Sequence, residues 1–401
     1  MKRILFYLIL ILFLNQNLRL NAQCMDNTCD CVYSVALQED TLWIGTKVGL
    51  FKYNIQTGNT LLFDKGNSQL PHNYIYTIKV GQDNSLWIGT YGGGLANLKN
   101  NNWSIFDTNN SPILTNNILG IECFNEKLWI ATDKGVVTYD FNEQWDFYNE
   151  TNSLMPSTIV YSLVAEGDSV MWFAVHGGLF KYNGNWTKYN RQNSGLPHTT
   201  VYSVATKGHI KYIGTAEGLV RFDGTNWKRK SSEKTLIIKF NVNNDESWTG
   251  TSSGLYHFHD DIYGPYNIYH INNSIMTNNY IQALVLENDE NIWFGTWGGG
   301  VYKLTSGNLS KIEFCTTTGI ADVINNNFSI YPNPAISQIR IENIGIVHKL
   351  SKVDYFIYNT TGQILMQGTL EDDITINIES LASGMYFLKV FDKTVKFVKL
   401  D

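Results

Sequence analysis

Seven times along the chain an aromatic residue recurs in nearly the same surroundings: Trp43, Trp87, Trp129, Trp172, Tyr212, Trp248 and Trp293, spaced by 44, 42, 43, 40, 36 and 45 residues. Leu86-Trp87-Ile88-Gly89-Thr90 shows the core of the repeat most clearly. Each copy also carries the same four strand signals. In the second copy these are an apolar run from Tyr74 to Val80, the Trp segment, a Gly-led run from Gly94 to Leu98, and an aromatic run from Trp103 to Phe106. All are short, rich in β-branched and aromatic residues, and bounded by Asn, Asp or Gly. A second register, Trp103, Trp145, Trp186 and Trp227, spaced by 42, 41 and 41, confirms the period. Four strands in each of seven repeats predict an all-β chain built as a seven-bladed β-propeller, in which radial packing buries both faces of every blade. A linear solenoid would need end repeats with a polar outer face, and neither end of this array differs from its middle.

The Trp-Ile-Gly-Thr core followed by Gly-Gly-Leu, as in residues 86–95, resembles the two-component regulator propeller repeat over about residues 32–314. Blade six departs from the pattern, with Thr249 in place of Ile and the shortest spacing. The resemblance implies the fold and ligand binding. It does not imply signalling, because no kinase or DNA-binding segment accompanies the repeats.

The flanks point to export. Lys2 and Arg3 precede an apolar run from Ile4 to Leu14 and a small-residue end near Ala22, the pattern of a signal peptide over residues 1–22. The run is shorter than the roughly 20 apolar residues of a transmembrane helix, so the mature chain is expected to have none. A lipoprotein reading through Cys24 is disfavoured by Gln23. Removing residues 1–22 takes away Lys2, Arg3 and Arg19 and no acid, moving the net charge from −6 to −9, which argues against nucleic acid as a partner. Of five cysteines, Cys123 reads as a buried free thiol, while Cys31 and Cys315 flank the repeats and are candidates for a bridge that ties the array's ends together.

After the propeller, expected over residues 23–314, a polar linker over 315–327 leads to a different pattern in residues 328–401. Short strand-like runs separated by Gly and Asn predict a small Ig-like β-sandwich. Tyr331-Pro332-Asn333-Pro334, the turn at Gly362, the Ser383-Gly384-Met385-Tyr386 segment and the closing Lys396-Phe397-Val398-Lys399-Leu400 resemble the type A sorting domain of the type IX secretion system of Bacteroidetes. Gly362 and Gly384 read as turn glycines with positive φ, and the two prolines as residues that stop the first strand. The resemblance implies recognition by the secretion machinery, delivery to the cell surface or medium, and in many members removal of the domain.

For a ligand, the residue after each Gly-Thr forms a ring on one face: Lys47, Tyr91, Asp133, His176, Ala216, Ser252 and Trp297. Blades seven, one and two would place Trp297, Lys47 and Tyr91 side by side, with His72 and His198 in neighbouring loops. Trp297 and Tyr91 are the expected stacking residues, with Lys47, His72, His176, His198 and Asp133 as polar contacts for a polysaccharide or peptide. No catalytic, cofactor or metal motif is visible, so a binding protein is expected rather than an enzyme. The alternative is a propeller lyase or glycoside hydrolase at the channel mouth, with Asp133 and Glu217 as carboxylates. His257 and His259 share a strand face, but a bare pair more often faces solvent than metal.

Overall fold

The computed structural model describes residues 29–156, 158–241, 244–259, 264–315, 329–342, 353–360, 362–370, 375–390 and 393–401. The signal peptide, Cys24 and nearly all of the expected linker lie outside them. The chain divides into two compact units, residues 1–315 and 316–401.

The first unit is a seven-bladed β-propeller. Its blades are four-stranded antiparallel sheets in sequential order, each cut from one contiguous piece of chain: 32–63, 75–106, 118–148, 160–189, 201–229, 235–269 and 281–312. The first strand of each blade packs on the first strand of the next, and that of blade seven packs on that of blade one, so these strands form the inner wall of a closed ring. The Trp register is the second strand. Its residues alternate between two blade faces that are both covered, which is why Leu86 to Thr90 are all buried. The third strand supplies a cation for three of the indoles, in register: Lys52, Lys181 and Lys303 stand opposite Trp43, Trp172 and Trp293, with their ammonium groups 5.6, 5.6 and 4.5 Å from the ring centroids. In blade six His257 takes this place, stacked on Trp248 with centroids 4.0 Å apart and its Nε2 3.1 Å from Glu246. That face of the strand is therefore occupied by packing. Among the described residues no cluster of three or more His, Cys, Asp or Glu side chains is placed to hold a metal.

The glycine of the repeat is a contact between blades. A Cβ on Gly89 would lie 2.4 Å from Thr77 of its own blade and 2.7 Å from Ile118 of the next. Blade three carries Ala131 here, and the first strand compensates with Gly120 directly opposite. The join between blades is also standardised. In the stretch beginning at Asp64, the Asn67 amide donates to the Leu62 carbonyl and the Ser68 hydroxyl to the Asp64 carbonyl; Asn110, Asn152, Asn193 and Asn273 repeat the first bond. Each such turn is followed by a buried apolar residue: Leu70, Ile113, Met155, Leu196 and Met276. Between blades five and six this turn is absent, which accounts for the spacing of 36. The fully buried Lys230 lies there instead, its ammonium 3.2 Å from the His259 carbonyl.

Ring closure differs from the sequence expectation in one half-cystine. Cys315 is joined to Cys29, with Cα atoms 5.9 Å apart, and not to Cys31. Cys31 is committed elsewhere: it is fully buried, disulfide-bonded, and paired by its backbone with Trp297 of blade seven. Two residues earlier the chain comes level with Cys315. The amides of Gly298 and Gly300 donate to the Asp30 carbonyl at 3.1 and 3.0 Å, copying the bonds by which Gly92 and Gly94 of blade two reach the Asn116 carbonyl of blade three. Phe314 packs edge-on against Phe51, with centroids 5.1 Å apart. Cys123 is free but only half-buried, with its thiol pushed up chiefly by desolvation.

The second unit is a two-sheet sandwich. Strands Ser329–Tyr331, Gln338–Glu342 and Thr375–Asn377 form one sheet; Ile364–Leu370, Val353–Tyr358, Gly384–Val390 and Lys393–Lys399 form the other. Ile339, Ile341 and Ile376 of the first meet Ile357, Leu388 and Phe397 of the second in one core. The first strand ends before Pro332, as expected from the missing backbone donors. Gly362 has φ of 83° in its turn. Gly384 does not share this conformation: it opens a strand paired with Lys399, and a Cβ there would find its nearest neighbour 3.7 Å away. The Asn333 amide donates to the Lys396 carbonyl while its carbonyl oxygen accepts from the Val398 amide, so the Tyr-Pro-Asn-Pro segment is stitched to the closing strand.

Candidate functional site

The seven first strands share a feature that is set by their pairing with the second strands. In every blade the register with the second strand slips at the second residue, a β-bulge at Tyr33, Tyr76, Leu119, Tyr161, Tyr202, Leu236 and Gln282. A bulge re-aims one side chain, and here all seven line a central channel of about 300 Å³. Four are tyrosines. Tyr74 and Tyr280, which precede the first strands of blades two and seven, enlarge this set at the mouth.

These rings are in mutual contact. Tyr33 lies 4.5 Å from Tyr74 and 6.0 Å from Tyr76, and Tyr161 meets Tyr202 edge-on at 5.0 Å, centroid to centroid. The cation held between aromatic rings is Lys234, 4.8 Å from the Tyr202 centroid and 5.3 Å from that of Tyr280, with its ammonium donating to the Tyr280 hydroxyl at 3.1 Å. Burial raises the phenol pKa of Tyr33, Tyr74, Tyr161 and Tyr280, and that of Tyr76 is pushed up to about 12. These five phenols therefore keep their protons at any physiological pH, and each hydroxyl can both donate and accept.

Of the residues expected from sequence, none lines the channel itself, and two pack on the tyrosines just described. Trp297 meets Tyr280 edge-on at 4.9 Å, and its indole Nε1 is buried without a hydrogen-bond partner. Tyr91, 46% exposed, lies 5.4 Å from Tyr74. Each thus packs on a tyrosine of its own blade, and among the described residues no ring contact joins the two. Lys47 occupies the corresponding turn of blade one, half-buried. Asp133 accepts from the Asn117 amide at 2.7 Å through one oxygen, while its other oxygen is buried without a partner. His176 is exposed, with Nδ1 3.2 Å from the Thr200 hydroxyl. His72 and His198 are local caps: their Nδ1 atoms accept from the amides of Tyr74 and Thr200 at 3.0 and 2.9 Å. His72 has its pKa lowered by burial and then by Lys65. The two carboxylates of the hydrolytic alternative have separate surroundings, since Asp133 engages Asn117 while Glu217 sits in the blade-five turn with its carbonyl held by Arg229.

The tyrosine set was missed by sequence reasoning, although a signal exists. Val32-Tyr33-Ser34, Ile75-Tyr76-Thr77, Val160-Tyr161-Ser162 and Val201-Tyr202-Ser203 repeat at blade spacing.

Fold and mouth together define a closed propeller with an aromatic channel, followed by a small sandwich. Residues 329–400 match the secretion system C-terminal sorting domain, and residues 69–92 match the two component regulator propeller. The sorting domain implies export and a cell-surface or secreted location. Among curated proteins, the histidine kinase P4 of Formosa agariphila is 24% identical over 218 residues, covering 52% of this chain and 14% of that protein. Two solved structures are similar across the chain. One is PorZ, an essential surface component of the type-IX secretion system of Porphyromonas gingivalis, with 17% identity, TM-score 0.56, and coverage of 93% of this chain and 60% of that one. The other is the extracellular domain of the hybrid two component system BT3049 of B. thetaiotaomicron, with 16% identity, TM-score 0.59, and coverage of 94% and 56%. At these identities the likeness is one of fold. The chain spans a small part of the curated relative and under two thirds of each structural neighbour. Among the described residues no helix is long and apolar enough to cross a membrane.

Proposed function

We propose that this exported propeller binds a glycan at its channel mouth and acts as a binding protein rather than an enzyme. The observation that carries the reading is the set of channel tyrosines, four of them at the seven bulge positions. Flat phenol rings stack on the C–H faces of sugars, and neutral hydroxyls match the mixed donors and acceptors of a polyol. Trp297 and Tyr91 extend this surface outward, with Lys47, Asp133 and the histidines at its rim. Residues 329–400 are the part that engages the type IX machinery on the way out.

Full-length protein applied to an array of glycans and cell-envelope components tests this. Wild type is expected to bind a subset of glycans. Trp297→Ala combined with Tyr91→Ala is expected to weaken that binding by about tenfold or more, the effect of about 1.4 kcal/mol. Tyr161→Phe, which removes one hydroxyl and keeps the ring, should cost about fivefold. A blank array, or variants that bind as wild type does, contradicts the reading.

A further inference from the structure

Three residues beyond the bulge, roughly 10 Å further along the strand at about 3.3 Å per residue, the seven first strands carry Ala36, Lys79, Glu122, Val164, Ala205, Lys239 and Val285, of which Lys79, Glu122 and Lys239 line the channel. Only blades two, three and six contribute charge here. The Lys79 ammonium and the Glu122 carboxylate form an ion pair at 2.5 Å. Lys239 has no such partner: it makes no ion pair or hydrogen bond among the described residues, and it lines the same cavity as the pair. The other four positions are small or apolar and pack in the apolar clusters of the blades.

Lys239 is exposed to the solvent of the channel, so its ammonium is within reach of a solute there. This part of the channel carries two cations and one anion in a chain whose net charge is −6. Lys234 adds a further cation at the mouth. A local excess of positive charge in a cleft attracts anions against the repulsion of an acidic protein.

We propose that this part of the channel is an oxyanion site, in which Lys239, assisted by Lys79, receives a carboxylate or phosphate group. This rests on the channel being the ligand site, and it narrows the ligand class to molecules that carry such a group beside their hydroxyls. Glu122 keeps Lys79 in place and leaves Lys239 as the cation without a counter-charge.

Calorimetric titration of the full-length protein with glucuronate, with inorganic phosphate and with glucose tests it. Glucuronate, phosphate or both are expected to bind, glucose more weakly than the best anion, and raising the salt concentration should weaken the anion. Lys239→Gln should lower anion affinity by at least about tenfold, and Lys239→Arg should retain most of it. Binding of glucuronate alone assigns a carboxylate, and binding of phosphate alone a phosphate. No anion binding, or equal affinity in Lys239→Gln, overturns the oxyanion site. Neutral glycans that bind on the array regardless would leave the reading of the mouth standing.

Discussion

A chain lacking residues 316–401, expressed in a host with type IX machinery, is expected to stay inside the cell envelope, with surface and medium signal reduced by at least about tenfold. The expectation follows from the match of residues 329–400 to a sorting domain and from the separateness of that unit. Among the described residues its buried cluster is drawn wholly from residues 330–397, so deletion removes no part of the propeller clusters. The truncated propeller should therefore accumulate folded, with an unfolding transition like that of the full chain. Fractionation with immunodetection reads the location, and protease resistance of the retained protein separates failed sorting from failed folding. Delivery to the surface or medium at the full-length level would sink the sorting reading.

Replacing both Cys29 and Cys315 by Ser is expected to lower the propeller's stability by about 3 to 5 kcal/mol. Chain-entropy reasoning gives about 4.7 kcal/mol for a 100-residue loop, growing slowly with length, and native-state strain reduces what is realised. Here the sequence separation is 286. Blade architecture makes the bond more than a clip. Each blade is one contiguous stretch of chain, so no strand of blade one is borrowed by blade seven. Non-covalent closure rests on two bonds to the Asp30 carbonyl, the Cys31–Trp297 bridge, Val32 packed on Gly295, and Phe314 on Phe51. Export to an oxidising compartment is what allows this bond to persist. Urea unfolding followed by tryptophan fluorescence measures the difference. An unchanged midpoint in the double variant would show that packing alone closes the ring.

The part of this fold legible in the sequence was the part in which every blade solves one packing problem in one way. The second strand is covered on both faces, so Trp, Ile and Gly return at each copy, and Gly89 shows why: its Cβ position is filled by Thr77 and Ile118. The channel obeys a different rule. A tyrosine on the first strand looks like any half-buried strand residue, and only the register slip at Tyr33 or Tyr76 turns it into the lumen. The slip does mark the pattern, since the buried residues flanking it, such as Val32 and Val35 or Ile75 and Ile78, stand three apart instead of two. Of the ring of residues after Gly-Thr, Tyr91 bonds through its amide to the Tyr74 carbonyl and Trp297 through its amide to the Tyr280 carbonyl. Their ring partners could not be read, because they come from the approach to the first strand. Cys29 and Cys31 lie two residues apart with like strand parity; the backbone pairing of Cys31 with Trp297 separates them, and that is a tertiary fact. Gly384, expected at a tight turn with positive φ, instead opens its strand.

The central claim is that a ligand enters the tyrosine-lined channel. The most direct measurement is nuclear magnetic resonance of the full-length protein carrying ring-labelled tyrosine, titrated with the strongest glycan from the array. Selective shifts at Tyr33, Tyr76, Tyr161 and Tyr202, with the surface ring of Tyr266 unmoved, are the predicted result. Shifts confined to tyrosines outside the channel, with those four unchanged at saturation, would contradict it.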